Sequence, residues 1–140
     1  MSYGGAIALQ GAVYQQLRTD PALSALVGDA VYDAMPASAP AGTFVSLGPE
    51  VVRDAGDMTG KAARHEFVVS VLSGADEDAA GFHSVKLAAA AVTEALNASD
   101  MPLDEGRVAG LWFLRATARR AETGSGRRVD LTFRALVDLG

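Results

Sequence analysis

Residues that commonly do chemistry are few in this chain, and they form no catalytic or metal-binding pattern. The two histidines, His65 and His83, each lack a second ligand at metal-binding spacing. Ser70, Ser73 and Ser84 lack the strand–turn–helix context of a hydrolase nucleophile. Cysteine is absent, which excludes disulfides and thiolate chemistry. The sequence therefore predicts surface or structural histidines and no enzymatic activity.

Two further segments have the composition of a ligand site but not its spacing. The run GDMTGK at residues 56–61 departs from the phosphate-binding loop pattern, and no Ser or Thr follows its lysine. Asp76, Glu77 and Asp78 stand together where a helix is predicted to begin, and the helix dipole favours negative charge there. These acids indicate a helix N-terminus rather than a metal site, so no cofactor is expected.

The overall composition is that of one globular domain. The chain has 140 residues, of which 49% are hydrophobic and 21% charged. No apolar run approaches the roughly 20 residues that span a bilayer, and the N-terminus lacks the pattern of a signal peptide. We therefore expect a single domain over residues 1–140 with no membrane association.

The net charge of −5 conceals an uneven distribution. Residues 1–106 carry five Lys or Arg and fourteen Asp or Glu, whereas residues 107–140 carry seven Arg and three acids. An acidic body argues against general nucleic-acid binding. Copies of the chain could instead meet with opposite charges facing each other.

A long amphipathic helix is predicted at residues 76–97, and it organises the rest of the fold. Its apolar face carries Phe82, Val85, Ala89, Val92 and Leu96. Strand-like runs lie on both sides, at residues 66–73 and 108–120. The middle of the second run, residues 110–114, is apolar on both faces. This arrangement indicates a helix laid on one face of an antiparallel sheet.

The N-terminal half predicts two helices followed by strands. Residues 4–18 have an apolar helical stripe of Ala6, Leu9, Val13 and Leu17, which Ile7 and Tyr14 widen. A short helix at residues 21–27 is expected to begin at the cap Asp20. Strands are predicted at residues 31–33, 43–53 and 64–73, with a bend at Gly48-Pro49 in the second and a loop at residues 35–42.

The last strand has the clearest pattern in the chain. Five alternate positions are apolar: Val129, Leu131, Phe133, Ala135 and Val137. Such alternation predicts one buried and one mostly wet face. The predicted fold is α+β, an antiparallel sheet packed on one face by a long helix and an N-terminal helix.

Three surface features are candidates for binding. The hairpin at residues 115–128 is rich in arginine, and Glu122 is expected to be the only acid near these arginines. The arginines are Arg115, Arg119, Arg120, Arg127 and Arg128. They predict either a solvated edge or a docking surface for acidic protein or DNA phosphates. A loop at residues 54–61 is expected to be mobile, and its candidate residues are Asp54, Gly56, Asp57, Met58, Gly60 and Lys61. A second face of the long helix carries Ala80, Ser84, Leu87 and Ala91.

Several segments, taken in order, give the chain a family resemblance. These are ALQGAVYQQL, LSALVGDAVYDAMP, FVSLGPEVVRD, the strand with His65, KLAAAAVTEAL and RRVDLTFRALV. In this order and spacing the chain resembles the tail terminator, or tail completion, proteins of long-tailed phages and of phage-like gene transfer agents. The resemblance covers nearly the whole chain.

The resemblance implies a structural role. Such proteins form a ring, typically six-fold, at the head-proximal end of the tail tube. The expected partners are copies of the chain itself, the tail tube protein, the head–tail connector (stopper) protein and DNA passing through the lumen without sequence specificity. The protein would be cytoplasmic during assembly and then part of the particle. The alternative is a small non-catalytic domain that binds nucleic acid or an acidic protein through the arginine hairpin.

Overall fold

The structure is a computed structural model, and it describes residues 3–58, 60–75, 82–97, 101–121 and 126–140. Three helices and five strands follow in the order α1 (Gly4–Thr19), α2 (Pro21–Val27), β1 (Val31–Tyr32), β2 (Phe44–Asp54), β3 (Ala62–Leu72), α3 (His83–Asn97), β4 (Arg107–Arg120) and β5 (Arg127–Asp138). The α+β class is confirmed.

Both N-terminal helices lie close to their predicted positions because their end signals are local. The Asp20 carboxylate accepts a hydrogen bond from the Leu23 backbone N–H at 3.0 Å, and Pro21 occupies the first turn of α2. Gly28 ends α2 with φ of +62°, a conformation that a residue with a Cβ rarely adopts. The long helix begins at His83, while its predicted first residues 76–81 lie outside the described residues.

The five strands form one sheet in the order β1-β2-β3-β5-β4. All neighbouring pairs are antiparallel except β1 and β2, which pair in parallel through Val31 with Val45 and Tyr32 with Ser46. The sheet is therefore mostly antiparallel, as predicted, with one short parallel pair that the sequence did not predict. A two-residue strand has too little hydrophobic pattern to indicate its direction.

Two of the long strands contain irregularities. The register of β2 against β3 shifts between Leu47 and Glu50, at the predicted bend of Gly48-Pro49. The register of β4 against β5 shifts twice, between Val108 and Gly110 and between Phe113 and Arg115. Each shift is a β-bulge, which kinks a strand and redirects its side chains.

The core lies between one sheet face and the helices. The alternate apolar residues of β5 are all buried, as predicted, and they form one cluster with the apolar face of α3 and the stripe of α1. Ile7 does not widen that stripe, because its side chain is 74% exposed, whereas Tyr14 is partly buried against the core. Residues 110–114 of β4 are also more exposed than their composition predicts, because β4 is an edge strand.

Candidate functional site

Among the described residues, the last strand in the order of the sheet, β4, has an unpaired outer edge along its whole length. Three consecutive large apolar side chains near its middle are exposed: Trp112 by 50%, Phe113 by 50% and Leu114 by 41%. Arg115 follows them directly, and Arg119 and Arg120 end the strand. We call Trp112 to Arg115 together with Arg120 the β4 edge surface. Exposed apolar and cationic side chains on an unpaired edge are typical of an interaction surface.

The register of β4 distributes these side chains over both faces of the sheet. Phe113 is opposite the buried Phe133 and therefore lies on the helix-covered face, with ring centroids 5.6 Å apart. Trp112 is opposite Arg134 on the other face. Gly110 lies under the indole, because an added Cβ would come within 2.4 Å of the ring. This glycine lets the indole lie flat against its own strand.

A shallow groove separates β4 from α3. It has a volume of about 380 Å³, and its lining includes Ala89 and Ala90 on the helix and Phe113, Ala116 and Ala118 on the strand. Small side chains on both walls leave the helix-facing side of β4 partly open. The groove therefore explains why Phe113 is half exposed although it faces the helix layer.

The predicted arginine cluster divides into paired and unpaired members. Asp130 accepts from Arg128 Nη2 at 2.8 Å and from Arg119 Nε at 3.2 Å. Arg127 lies over the Phe82 ring, with its guanidinium carbon 5.4 Å from the ring centroid. Among the described residues, Arg115 and Arg120 have no ion-pair partner. These two are therefore the arginines available to a partner.

Asp130 corrects the expectation that Glu122 is the only local acid of the hairpin; Glu122 itself lies outside the described residues. Asp130 also accepts from the Ser70 hydroxyl at 2.7 Å. Burial alone would raise the pKa of the Asp130 carboxyl, but the hydrogen bonds from Ser70, Arg128 and Arg119 outweigh it and lower the pKa. The sequence signal was available, since Asp130 follows Arg128 by two residues on the same strand face.

The predicted loop at residues 54–61 is a hydrogen-bonded hairpin connection. The Asp54 side chain accepts from the Gly56 N–H at 3.2 Å, and the Asp57 side chain accepts from the Gly60 N–H at 2.9 Å. The backbone N–H of Lys61 donates to Gly140 at 2.8 Å. Met58 is fully exposed. These contacts define the shape of the connection, and its mobility stays a prediction.

The described residues of the predicted second face of α3 differ in exposure. Leu87 is 45% exposed, whereas Ala91 is partly buried against the core. Ser84 is partly buried, and Ala80 lies outside the described residues. The role of this face in binding stays a prediction.

His65 is a fully buried structural residue on the helix-facing side of β3. Neither ring nitrogen has a hydrogen-bond partner. Gly5 at the start of α1 packs against it, because an added Cβ there would lie 3.5 Å from Nε2. Burial lowers the pKa of the imidazole, against a smaller opposing effect from Glu50. The folded protein therefore favours neutral His65.

We expect the protein to lose stability as the pH falls below about 6.5, the pKa of an unfolded histidine, because the unfolded chain then binds a proton that folded His65 resists. The loss continues down to the lower folded pKa. Thermal unfolding between pH 8 and pH 5 measures it, and His65→Leu should flatten the slope. His83→Gln, at the exposed histidine, is the control and should keep it. Equal slopes in the wild type and His65→Leu would contradict the prediction.

The described ranges contain no group of three or more His, Cys, Asp or Glu placed to hold a metal ion. None of the described helices is both long and apolar enough to span a membrane. The surface features that could bind a partner are therefore the β4 edge surface, the group of Asp130 with Ser70, Arg119 and Arg128, and the side of α1 that exposes Ile7.

Comparison with known proteins identifies the family. The sequence profile of the family described as "Tail completion protein gp17" matches residues 11–138. The chain belongs to the tail completion protein gp17 family. None of the curated proteins matches this tail completion protein.

A solved structure is similar to this tail completion protein over almost its whole length. The structure is described as "Virion of native gene transfer agent (GTA) particle", and one of its chains is 60% identical to this one, with a TM-score of 0.87. The match covers 98% of this chain and 99% of that chain. The family resemblance found in the sequence is confirmed.

Proposed function

We propose that this chain is a structural component of a phage tail or gene transfer agent particle, and that it forms a ring at the head-proximal end of the tail tube. The observation that carries this proposal is the 60% identity, over 98% of the chain, to a component of a gene transfer agent virion structure. In this role the ring ends tube polymerisation and joins the tail to the head connector, and DNA passes through its lumen.

The surface of the subunit supports assembly with copies of itself. A ring requires that one surface of each copy binds a different surface of the next. The β4 edge surface has exposed apolar groups at its centre and arginines beside them. The first 106 residues have nine more acidic than basic side chains, whereas the remaining residues have four more arginines than acids. Opposite charges speed encounter and set the register between copies.

Removal of the protein from particle-producing cells tests the proposed function. Without it, we expect tails that vary in length and heads that carry no tail, both visible by electron microscopy. Expression of the wild-type chain from a plasmid should restore joined tails of uniform length. Tails of normal length joined to heads in the absence of the protein would overturn the proposal. Native mass spectrometry of isolated tail ends would give the ring size as a multiple of 14.4 kDa.

Reversing the charge of the two arginines of the hairpin cluster that have no ion-pair partner among the described residues, Arg115→Glu with Arg120→Glu, should impair assembly and leave the fold intact. Each exposed ion pair contributes only about 0.2–1 kcal/mol, so we expect little effect from either change alone. The double change also replaces attraction by repulsion at each contact. The yield of tailed particles and the thermal unfolding of the isolated subunit measure the two effects.

The matched control is Arg53→Glu with Arg64→Glu, two exposed arginines on β2 and β3 that lie opposite each other in the sheet. This pair should leave the yield unchanged. If tails made without DNA-filled heads are normal in the Arg115/Arg120 variant but DNA entry fails, the arginines contact DNA in the lumen. That outcome would contradict the subunit-contact role.

The connection at residues 54–61 is expected to exchange its amide hydrogens quickly in the free subunit and more slowly in the particle. The Gly56 and Gly60 amides bond to exposed carboxylates, and the Lys61 amide bonds to Gly140, near the end of β5. A partner in the assembled particle would cover the exposed Met58 and restrict the opening of the hydrogen bonds in this connection. Hydrogen exchange on both forms measures the difference. Strong and equal protection in both would show that the connection is rigid and uninvolved.

A further inference from the structure

The exposed side of α1 matches the β4 edge surface in both apolar character and charge. Ile7, 74% exposed, lies with Gln10, Gly11, Tyr14 and Asp33 around a hollow of about 380 Å³. A second hollow of about 760 Å³ follows the other flank of α1, and its lining includes Asp104 and Glu105. We call this apolar strip with acids on both flanks the α1 surface. Arg18 lies over the Tyr14 ring on this surface, but it pairs with Asp29 at 3.9 Å. Asp33, Asp104 and Glu105 therefore leave the α1 surface with a net negative charge, opposite to that of the β4 edge surface.

Gly11 at the centre of the α1 surface is not explained by packing within the subunit. Glycine is less favourable than alanine inside a helix because it loses more conformational freedom on folding. A Cβ added to Gly11 would meet nothing within 4 Å, so the subunit itself has room for a side chain there. The missing side chain instead leaves the helix backbone open to close approach by another molecule.

The two surfaces are placed so that one subunit can use both at once. β4 forms one edge of the sheet and β1 the other. Asp33 directly follows β1, and α1 packs on that strand. Two different surfaces that share no residue produce a head-to-tail contact, which continues from copy to copy until a ring closes.

We propose that the β4 edge surface of one copy docks on the α1 surface of the next copy. Phe113 and Leu114 cover the strip of Ile7, Gly11 and Tyr14. Arg115 and Arg120 lie toward the flanking acids of the partner copy. The proposal rests on the ring of the proposed function and names the two surfaces that build it. The molecule that binds the α1 surface is inferred to be a second copy of this chain, because the positive β4 edge surface and the negative α1 surface belong to the same chain.

Crosslinking between single-cysteine variants tests this pairing, because the natural chain has no cysteine to interfere. Thr117→Cys places a thiol two residues after Arg115 on the same face of β4, and Gln10→Cys places one beside the hollow on α1. Both variants are produced together in particle-forming cells, and isolated tails are treated with a short bismaleimide. We expect a covalent dimer from the mixture and none from either variant alone. A chain that carries both substitutions should give a series of crosslinked oligomers, and the largest should contain as many subunits as the ring.

A substitution at Gly11 gives an independent measurement. Gly11→Leu should lower the yield of the Thr117–Gln10 crosslink at least tenfold, because the added side chain fills the contact. The isolated subunit should melt no lower than the wild type, since leucine favours the helix and the site is open. Ala25→Leu, at an exposed position of α2, is the matched control and should leave the crosslink unchanged.

The outcomes separate this pairing from the proposed function. Tails that are correctly ended and joined, but give no Thr117–Gln10 crosslink, would overturn the pairing and leave the proposed function standing. Dimers formed by Thr117→Cys alone would overturn it too, because they show two β4 edges meeting. Normal tails in cells that lack the protein would instead overturn the proposed function itself.

Discussion

Phe133→Ala should destabilise the isolated subunit by about 3–5 kcal/mol in denaturant unfolding. Phe133 is 1% exposed at the centre of β5, and β5 lies between β3 and β4 in the sheet. Its ring stacks on Phe67 with centroids 5.5 Å apart. Truncation would leave a cavity among strands and helices that are held by many other contacts, so the site cannot collapse to fill it.

The matched control is Phe113→Ala, the same chemical change at a half-exposed ring that touches Phe133. We expect it to cost about 1–2 kcal/mol, because much of the ring already contacts water. The same variant should weaken assembly if Phe113 lies in a subunit contact. A loss below about 1 kcal/mol for Phe133→Ala, or equal losses for both variants, would show that the inner face of β5 is wrongly assigned.

Asp130→Ala should destabilise the subunit by about 2–3 kcal/mol at pH 7. The Asp130 carboxylate accepts from Ser70, Arg119 and Arg128, and the Asp130 and Arg128 side chains are only 19% and 18% exposed. Its removal leaves the Arg128 guanidinium partly buried without its counter-charge. Denaturant unfolding measures the loss. The chemically matched control, Asp138→Ala, removes an exposed pair with Arg107 and should cost less than about 1 kcal/mol.

The Asp130 contribution should also depend on pH in a defined direction. Its folded pKa lies below the unfolded value, because the hydrogen bonds from Ser70, Arg128 and Arg119 outweigh the opposing effect of burial. The contribution is therefore fully present above about pH 4 and is lost as the pH falls through the folded pKa. The difference between the wild type and Asp130→Ala should shrink toward pH 3. A difference that stays constant over this range would show that Asp130 acts by packing alone.

The elements that the sequence predicted well are those whose signals lie close together in the chain. Asp20, Pro21 and Gly28 mark both ends of α2 within nine positions, and the structure uses all three. The alternation along β5 likewise belongs to one strand, and its five apolar residues are all buried. Such elements can be predicted without knowing their neighbours in the fold, because an alternation of apolar residues indicates a strand and a capping residue indicates a helix end.

The features that were missed depend on contacts between distant parts of the chain. Residues 110–114 have the composition of a buried strand, but strand order puts them at the sheet edge. Asp130 meets Ser70 from a position 60 residues away, so its hydrogen bond with that hydroxyl was not predicted. His65 is covered by the start of α1, which approaches closely at Gly5. None of these neighbours can be inferred from periodicity alone.

The two bulges in β4 have a consequence for the protein before it is assembled. A straight exposed strand of 14 residues would be a template on which a strand of any other copy could pair, and such pairing has no natural end. The bulges at residues 109 and 114 break the spacing of its free N–H and C=O groups, so a regular strand cannot bond along its full length. The bulges therefore disfavour open-ended strand pairing between newly made subunits before they assemble.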